Sequence, residues 1–343
     1  MVKPLDPNVA AMTEADFRYN MMIKRFASEP QPPFESAGQQ EAVWGRRWGC
    51  NNDVGRLRMV LMHRPGSELD VIDRSRRIED LGGYGDDASG WYWIGRDIPP
   101  AEVYRAQHQA LVMALEEEGV EVVLVGEAAA GRMKSIYTRD SVIAVDGGAI
   151  VTRMGPRIRR GEELPVTRAL ARIGMPILRT IHGAGIVEGG SFAFLRPDVA
   201  VIGLSSRVNE EGARQLEEVL KVQGVELIRV EIPGYRLHID GMFVMIDVDT
   251  ALINPARLPF VFIERLASLG IRTIELTPED PAWAINCLAV RPGRILVSDK
   301  LSPRTSERLE KAGISVRHVP YSDVCLGGGG IHCSTAPLVR DPL

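Results

Sequence analysis

The sequence predicts an α/β protein built as a ring of repeated strand–strand–helix–strand units. Three observations carry this. Short apolar runs recur in pairs across turn residues such as Asp146-Gly147-Gly148 and Pro292-Gly293, and each pair reads as a hairpin. A helix and a further strand follow in the same order four or five times, with negligible sequence identity between units. Hairpins ahead of each helix, and the lack of a Gly-x-Gly-x-x-Gly opening a helix after a strand, argue against a doubly wound sheet. A closed ring of such units would leave no sheet edge exposed.

Residues 1–54 read as an N-terminal arm and 55–343 as one domain. In the arm, Thr13 is an N-cap type ahead of a helix over 14–26, which Gln31-Pro32-Pro33 breaks. The body opens with a buried strand at 57–63. Residues 66–98 are loop-rich, with aromatic residues Trp91, Tyr92 and Trp93, a segment suited to a lid or binding loop. A helix at 99–118 ends at Gly119, and a strand follows at 120–125. Hairpins are expected at 141–145 with 149–152, 191–195 with 199–203, 242–247 with 250–253, and 288–291 with 294–298. Helices are expected at 163–173, 210–222, 259–269 and 303–312, the last capped by Ser302, with strands at 226–230 and 315–319.

The bulk properties exclude several functions. A net charge of −4 argues against nucleic acid or an acidic membrane as the main partner. No apolar run is long enough to span a bilayer. Met1 to Phe17 shows no signal-peptide pattern. Four cysteines, Cys50, Cys287, Cys325 and Cys333, are too few for a disulfide framework in 343 residues, so a reducing cytoplasm fits. His318, Cys325, His332 and Cys333 match no common zinc spacing, so no metal and no cofactor is expected. The expected partner is a small molecule, and a homo-oligomer is expected.

Chemistry concentrates at four places. Tyr137-Thr138-Arg139-Asp140, Glu188-Gly189-Gly190 and His238-Ile239-Asp240-Gly241 each stand just before a hairpin, so a ring would bring them to its axis. The fourth is Gly327-Gly328-Gly329-Gly330-Ile331-His332-Cys333, where backbone without side chains can approach a ligand and present a thiol. Cys333 is the candidate nucleophile. His238 can move protons near neutral pH and, with one residue between them on extended backbone, shares a face with Asp240. Carboxylates facing a thiol raise its pKa, which suits neither an anionic nor a neutral electrophile. They suit a planar cation, because carboxylates grip a guanidinium in fork geometry and its charge would favour the thiolate. His332 is expected to point away from Cys333 by strand alternation, His63 and His182 to be core or supporting groups, and the other cysteines to be inert.

These motifs resemble the guanidine-modifying, or amidinotransferase, superfamily of pentein fold, over about residues 55–343, and arginine deiminase most closely in pattern. Gly55 to Leu69 resembles its first strand, and Cys333 to Asp341 its catalytic-cysteine segment. The resemblance implies a five-bladed pseudo-symmetric α/β propeller of ββαβ units with the site on its axis. It implies that Cys333 forms a covalent amidino-thioether, that His238 protonates the departing amine and then activates water, that Asp140 and Asp240 hold the guanidinium, and that Glu188 sits beside both. Arg159 and Arg207 match the family's carboxylate-binding positions. Lys134 stands where an asparagine usually contacts the substrate, near Tyr137, and Gly328 replaces an arginine, leaving room at the mouth. Arginine deiminase's helical insertion is reduced to residues 126–132. The expected activity is hydrolysis of arginine or a related guanidino acid. The alternative is amidino transfer to an amine. A dimethylargininase, whose pattern lacks the second acid of His-Ile-Asp, and a non-catalytic binding protein are the lesser expectations.

Overall fold

The computed structural model describes all residues except 1–12, 89–90, 94–96, 127–130, 235 and 299. The start of the arm, where the leader pattern was sought, and most of the short 126–132 connection therefore lie outside the described residues.

Thr13 caps α1 (Glu14–Arg18), its hydroxyl accepting from the Asp16 amide while Asp16 reaches back to the Thr13 amide. The helix continues in π geometry over Tyr19–Arg25. A second helix, α2 (Ala37–Trp44), was not expected from the sequence. Beyond it the chain joins the body: Trp48 and Cys50 are buried, and the Gln40 amide spans the Trp48 N–H and the Gly147 carbonyl.

The body starts at β1 (Leu57–Met62). The loop-rich stretch forms a small antiparallel meander of β2 (Arg77–Ile78), β3 (Gly83–Asp86) and β4 (Trp91–Trp93). Trp91 and Trp93 are buried against α3 (Ala101–Glu117), so the segment packs on the body and is more than decoration. β5 (Glu121–Leu124) then pairs in parallel with β1.

The next four units repeat one plan. Unit two is β6 (Val142–Val145), β7 (Gly148–Val151), α4 (Glu163–Ile173) and β8 (Ile177–Thr180). Unit three is β9 (Phe192–Arg196), β10 (Val199–Leu204), α5 (Glu210–Val222) and β11 (Glu226–Glu231). Unit four is β12 (Phe243–Asp247), β13 (Thr250–Ile253), α6 (Phe260–Ser268) and β14 (Arg272–Glu275). Unit five is β15 (Leu288–Arg291), β16 (Arg294–Val297), α7 (Pro303–Lys311) and β17 (Ser315–His318). In each, the hairpin is antiparallel and the third strand returns parallel to the second. A one-turn helix α8 (Ser322–Cys325) leads to the glycine run, and β18 (Ala336–Arg340) pairs antiparallel with β1. The first and last strands therefore share one three-stranded sheet, β18-β1-β5. Neighbouring units meet in order, β18 on β6, the turn before β6 on the turn before β9, β9 on β12, β12 on β15, and β15 back on β1, which closes the five-unit ring.

Local chemistry explains the plan. β6, β7 and β13 are buried along their whole length, because the axis covers one face and helices the other, so their sequences are continuous apolar runs. The helices are amphipathic: α5 buries Ala213, Leu216 and Leu220 and is capped by Asn209, whose side chain accepts from the Gly212 N–H. Ser302 caps α7 in the same way through the Thr305 N–H, with Pro303 in the first turn. Phe243 of β12 meets Phe262 of α6 edge to face, with ring centroids 5.4 Å apart. The helices at 163–173 and 210–222 have the expected bounds. The strands β8 and β14 were not read, because Ile177-Leu178-Arg179-Thr180 and Arg272-Thr273-Ile274-Glu275 are short edge strands with little apolar character.

Candidate active site

Each candidate side chain stands on a tight turn just before the inner strand of its hairpin. Asp140 lies in a 3-10 turn, Thr138–Ser141, ahead of β6. Glu188 immediately precedes the turn Gly189–Ser191 ahead of β9. His238 immediately precedes Ile239–Gly241 ahead of β12, and Asp240 lies within that turn. Asn286 occupies the corresponding place two residues before β15, and Cys333 three residues before β18. The ring thus carries one polar side chain or more per unit to a common centre.

The turns are pinned together. Thr138 Oγ1 donates to Leu61 O at 2.9 Å and lies 3.2 Å from Ser334 O, and the Arg139 N–H donates to Cys333 O at 3.0 Å. The second glycine of Glu-Gly-Gly is required by space. A Cβ on Gly190 would lie 2.7 Å from Asp140 Oδ1 and 2.9 Å from His238 Nδ1, and the Gly190 N–H donates to that same oxygen at 3.0 Å. We expect Gly190→Ala to drive Asp140 and His238 apart, lowering kcat by roughly 100-fold or more, the scale at which misplaced reacting groups slow catalysis. Steady-state kinetics on the folded variant checks this.

At the centre, His238 Nε2 is 2.7 Å from Glu188 Oε2, and His238 Nδ1 is 3.6 Å from Asp140 Oδ1. Burial disfavours the charged imidazole, but Asp140 and Glu188 outweigh it and raise the His238 pKa above the ordinary range. Burial likewise opposes the Glu188 charge, and His238, Arg159 and Arg207 overcome it, holding that carboxylate well below its usual pKa. The two therefore form a buried ion pair at neutral pH.

Cys333 stands beside Asp240, the second acid of His-Ile-Asp. Its thiol is 3.5 Å from Asp240 Oδ2, and Asn286 Nδ2 lies 3.2 Å from Sγ. Burial, then the charges of Asp240 and Asp140, push the thiol well above its ordinary pKa, as the cation argument requires. Asn286 was missed by sequence reasoning. Its Oδ1 accepts from the Cys333 N–H at 3.1 Å and its backbone oxygen from the His332 N–H at 3.2 Å, so it fixes both the sulfur and the loop beneath it. The signal was available: it is the polar residue before the hairpin of unit five, where units two to four carry acids.

Two expectations need correction. His332 does not point away: residues 331–334 form a turn, so strand alternation does not apply, and His332 Nδ1 lies 2.9 Å from Asp240 Oδ2. Burial and the nearby Arg139 lower the His332 pKa, so the neutral ring can donate from Nδ1 and orient Asp240. His182 is exposed and not a core group, whereas His63 is buried, its Nε2 2.9 Å from Glu68 Oε1. Arg159 and Arg207, expected to bind a substrate carboxylate, are paired in this structure with carboxylates of the site itself. Arg159 Nη1 lies 2.5 Å from Asp140 Oδ2, and its Nη2 is 2.8 Å from Glu162 Oε2, while Arg207 Nη1 is 3.0 Å from Glu188 Oε2. Buried carboxylates attract the nearest cations, a pairing invisible from spacing alone.

Lys134 is buried beside the glycine run. Its Nζ sits 3.9 Å above the Tyr92 ring and donates to the Gly327 carbonyl. Burial, aided by Arg159 and Arg207, lowers its pKa to about 7. Tyr137 donates from its hydroxyl to Val324 O at 2.9 Å and presses on Gly329, where a Cβ would lie 2.5 Å from its ring. Gly328 adopts φ +101°, and a Cβ there would meet only Lys134 Nζ, 3.6 Å away, so the mouth is open at that position apart from the lysine. Among the described residues, Asp140, Glu188 and His238 bring ligand-type atoms within 4.8 Å of one another, but Arg159 and Arg207 already engage those carboxylates, so a metal would have to displace two guanidinium groups.

Known proteins resemble this chain over most of its length. An uncharacterised protein of Bacillus subtilis, YkgA, is 28% identical over 85% of this chain and 95% of its own length. The arginine deiminase of Rhodococcus erythropolis is 26% identical over 86% and 98%. Among solved structures, the dimethylarginine dimethylaminohydrolase of Pseudomonas aeruginosa, a cysteine-to-serine mutant complexed with citrulline, superposes with a TM-score of 0.65 at 24% identity, covering 82% of this chain and 99% of that one. The fold is therefore the five-bladed α/β propeller of the pentein superfamily. The model of the eukaryotic N,N dimethylarginine dimethylhydrolase family matches residues 100–340, a segment that includes Asp240, so the second acid does not set this chain outside that group. The chain belongs to the dimethylarginine dimethylhydrolase family.

Proposed function

We propose that the protein is a cysteine-dependent hydrolase of a guanidino compound, with arginine or an N-methylated arginine as substrate. The observation that carries the reading is the placing of the Cys333 thiol, held by Asn286 and Asp240, in a site where Glu188 and Asp140 flank the His238 ring. A substrate guanidinium between Asp140 and Asp240 would offset the negative charge that keeps the thiol protonated, and the thiol proton would leave to solvent. The thiolate then adds to the guanidinium carbon. The C–N bond to the departing group breaks as His238 donates its proton, releasing ammonia or a methylated amine and leaving an amidino-thioether. Water, giving a proton to the now neutral His238, adds to the same carbon. The C–S bond breaks to return the thiol and release a ureido product.

The resemblance gives Arg159 and Arg207 the carboxylate at the substrate's far end, and Lys134, close to both and beside the glycine run, adds a further basic group for it. Family membership favours methylated arginines, and the match to an arginine deiminase favours arginine, so the leaving group is the quantity to measure. A panel of arginine, methylated arginines, agmatine, guanidinoacetate and canavanine, scored for ammonia, amine and ureido product, tests the reading. Product from a guanidino acid without added acceptor supports hydrolysis. Product that depends on glycine or another amine replaces it with amidino transfer, and no product from any of them overturns it.

A further inference from the structure

Arg159 has a double set of partners that substrate binding through its carboxylate does not explain. Its Nη1 lies 2.5 Å from Asp140 Oδ2 and 3.7 Å from Glu188 Oε2. Its Nε lies 3.1 and 3.2 Å from the two Glu162 oxygens, its Nη2 2.8 Å from Glu162 Oε2, and Nη2 also donates to Tyr137 O at 3.2 Å. Arg159 and Glu162 are only 5% and 2% exposed. One edge of this guanidinium therefore occupies the carboxylate assigned to the substrate, and the other edge is forked onto an acid that touches none of the reacting groups.

Two physical requirements meet here. Empty, the pocket would hold Asp140 and Glu188 as buried charges with too little positive charge beside them, which is strongly unfavourable. Filled, it must give Asp140 to the substrate. We propose that Arg159 is the resident guanidinium of the free enzyme, and that Glu162 is a positioning residue that retains Arg159 when the substrate's guanidinium takes its place on Asp140. The proposal rests on the reading of Asp140 and Glu188 as a guanidinium site. Only the Nη1 contacts have to break, since the fork to Glu162 survives a small withdrawal. The exchange conserves charge, one guanidinium for another. A neutral ureido product leaves Asp140 uncompensated, so Arg159 returns and displaces it. The arrangement therefore selects cationic substrate over neutral product at the same carboxylate.

The test uses methylguanidinium and methylurea, probes without a carboxylate, titrated calorimetrically into full-length protein carrying Cys333→Ser to prevent turnover. If the substrate-ready state is about a tenth of the free enzyme, adding Arg159→Ala tightens methylguanidinium binding roughly tenfold. Arg159→Lys, which keeps the charge but not the fork, gives a smaller gain and serves if the alanine variant does not fold. In otherwise wild-type protein, Glu162→Gln raises KM several-fold with kcat retained, and Glu162→Asp restores KM towards normal. Equal or weaker methylguanidinium binding in both Arg159 variants, with Asp140→Asn abolishing it, overturns the resident-guanidinium proposal and leaves the guanidine site standing. Methylguanidinium binding indifferent to Asp140→Asn overturns the guanidine site and the proposal together. Methylurea bound by the Cys333→Ser protein as tightly as methylguanidinium also overturns the proposal.

Discussion

Cys333→Ser is expected to abolish turnover of every guanidino compound the protein accepts, with kcat reduced roughly 10,000-fold or more, as when a covalent nucleophile is lost elsewhere. The serine keeps the size of the side chain, and the Asn286 amide that bonds Sγ can bond a hydroxyl, so the fold should survive. What is lost is an atom that can become an anion when a cation arrives. A serine hydroxyl starts from a far higher pKa, and Asp240 and Asp140 push in the same unfavourable direction. Mass spectrometry under turnover conditions should show an amidino adduct on the wild-type protein and none on the variant. An active serine variant would remove Cys333 from the mechanism.

Glu188→Gln should have the second-largest effect, on both stability and pH response. Glu188 is fully buried and serves His238, Arg207 and the Gly155 N–H at once. Deleting its charge leaves Arg207 and the imidazolium short of a partner, a change of about 3–5 kcal/mol for broken buried pairs. The sign of the pH dependence follows from linkage. The folded pKa of His238 is raised, so its contribution is fully present below the unfolded value of roughly 6.5 and is lost as pH rises through the folded one. The folded pKa of Glu188 is lowered, so its contribution is present above roughly 4.3 and is lost as pH falls through the folded one. The stability gap between wild type and variant should be widest between those two values and narrow on either side. Denaturant melts across pH check this. The alkaline limb of kcat should also move to lower pH in the variant, because His238 would lose its proton sooner. A gap independent of pH would separate Glu188 from His238.

Much of this is legible in the sequence. The ring followed from hairpins that precede each helix, since apolar runs joined by Asp146-Gly147 or Pro292-Gly293 can scarcely be read otherwise. The chemistry followed from acids at one point of the repeat. What escaped has physical reasons. Asn286 is uncharged, and a search for titratable groups passes over it, although the repeat marked its position. The neutral amide also suits its place, because a carboxylate there would raise the thiol pKa further. Glu162 stands three residues from Arg159 in an ordinary polar stretch, and only the fold reveals that both are buried. His332 was misread because the backbone before Cys333 turns where a strand was assumed. The pairing of Arg159 and Arg207 with Asp140 and Glu188 joins residues from different turns, which spacing along the chain does not show.

The pairing of β18 with β1 has a consequence for how activity arises during folding. Only Ser334 and Thr335 separate Cys333 from the start of β18, and the Arg139 N–H and Thr138 hydroxyl grip the backbone there. The acids and the histidine come from three consecutive units that could pack locally, whereas the sulfur enters with a strand whose partner lies almost the whole chain away. Joining the two distant strands and arming the nucleophile are thus a single event. A folding intermediate with an unclosed seam would carry a formed carboxylate cradle and no chemistry, so during refolding activity should return with the slowest long-range contact and not with the bulk of the secondary structure.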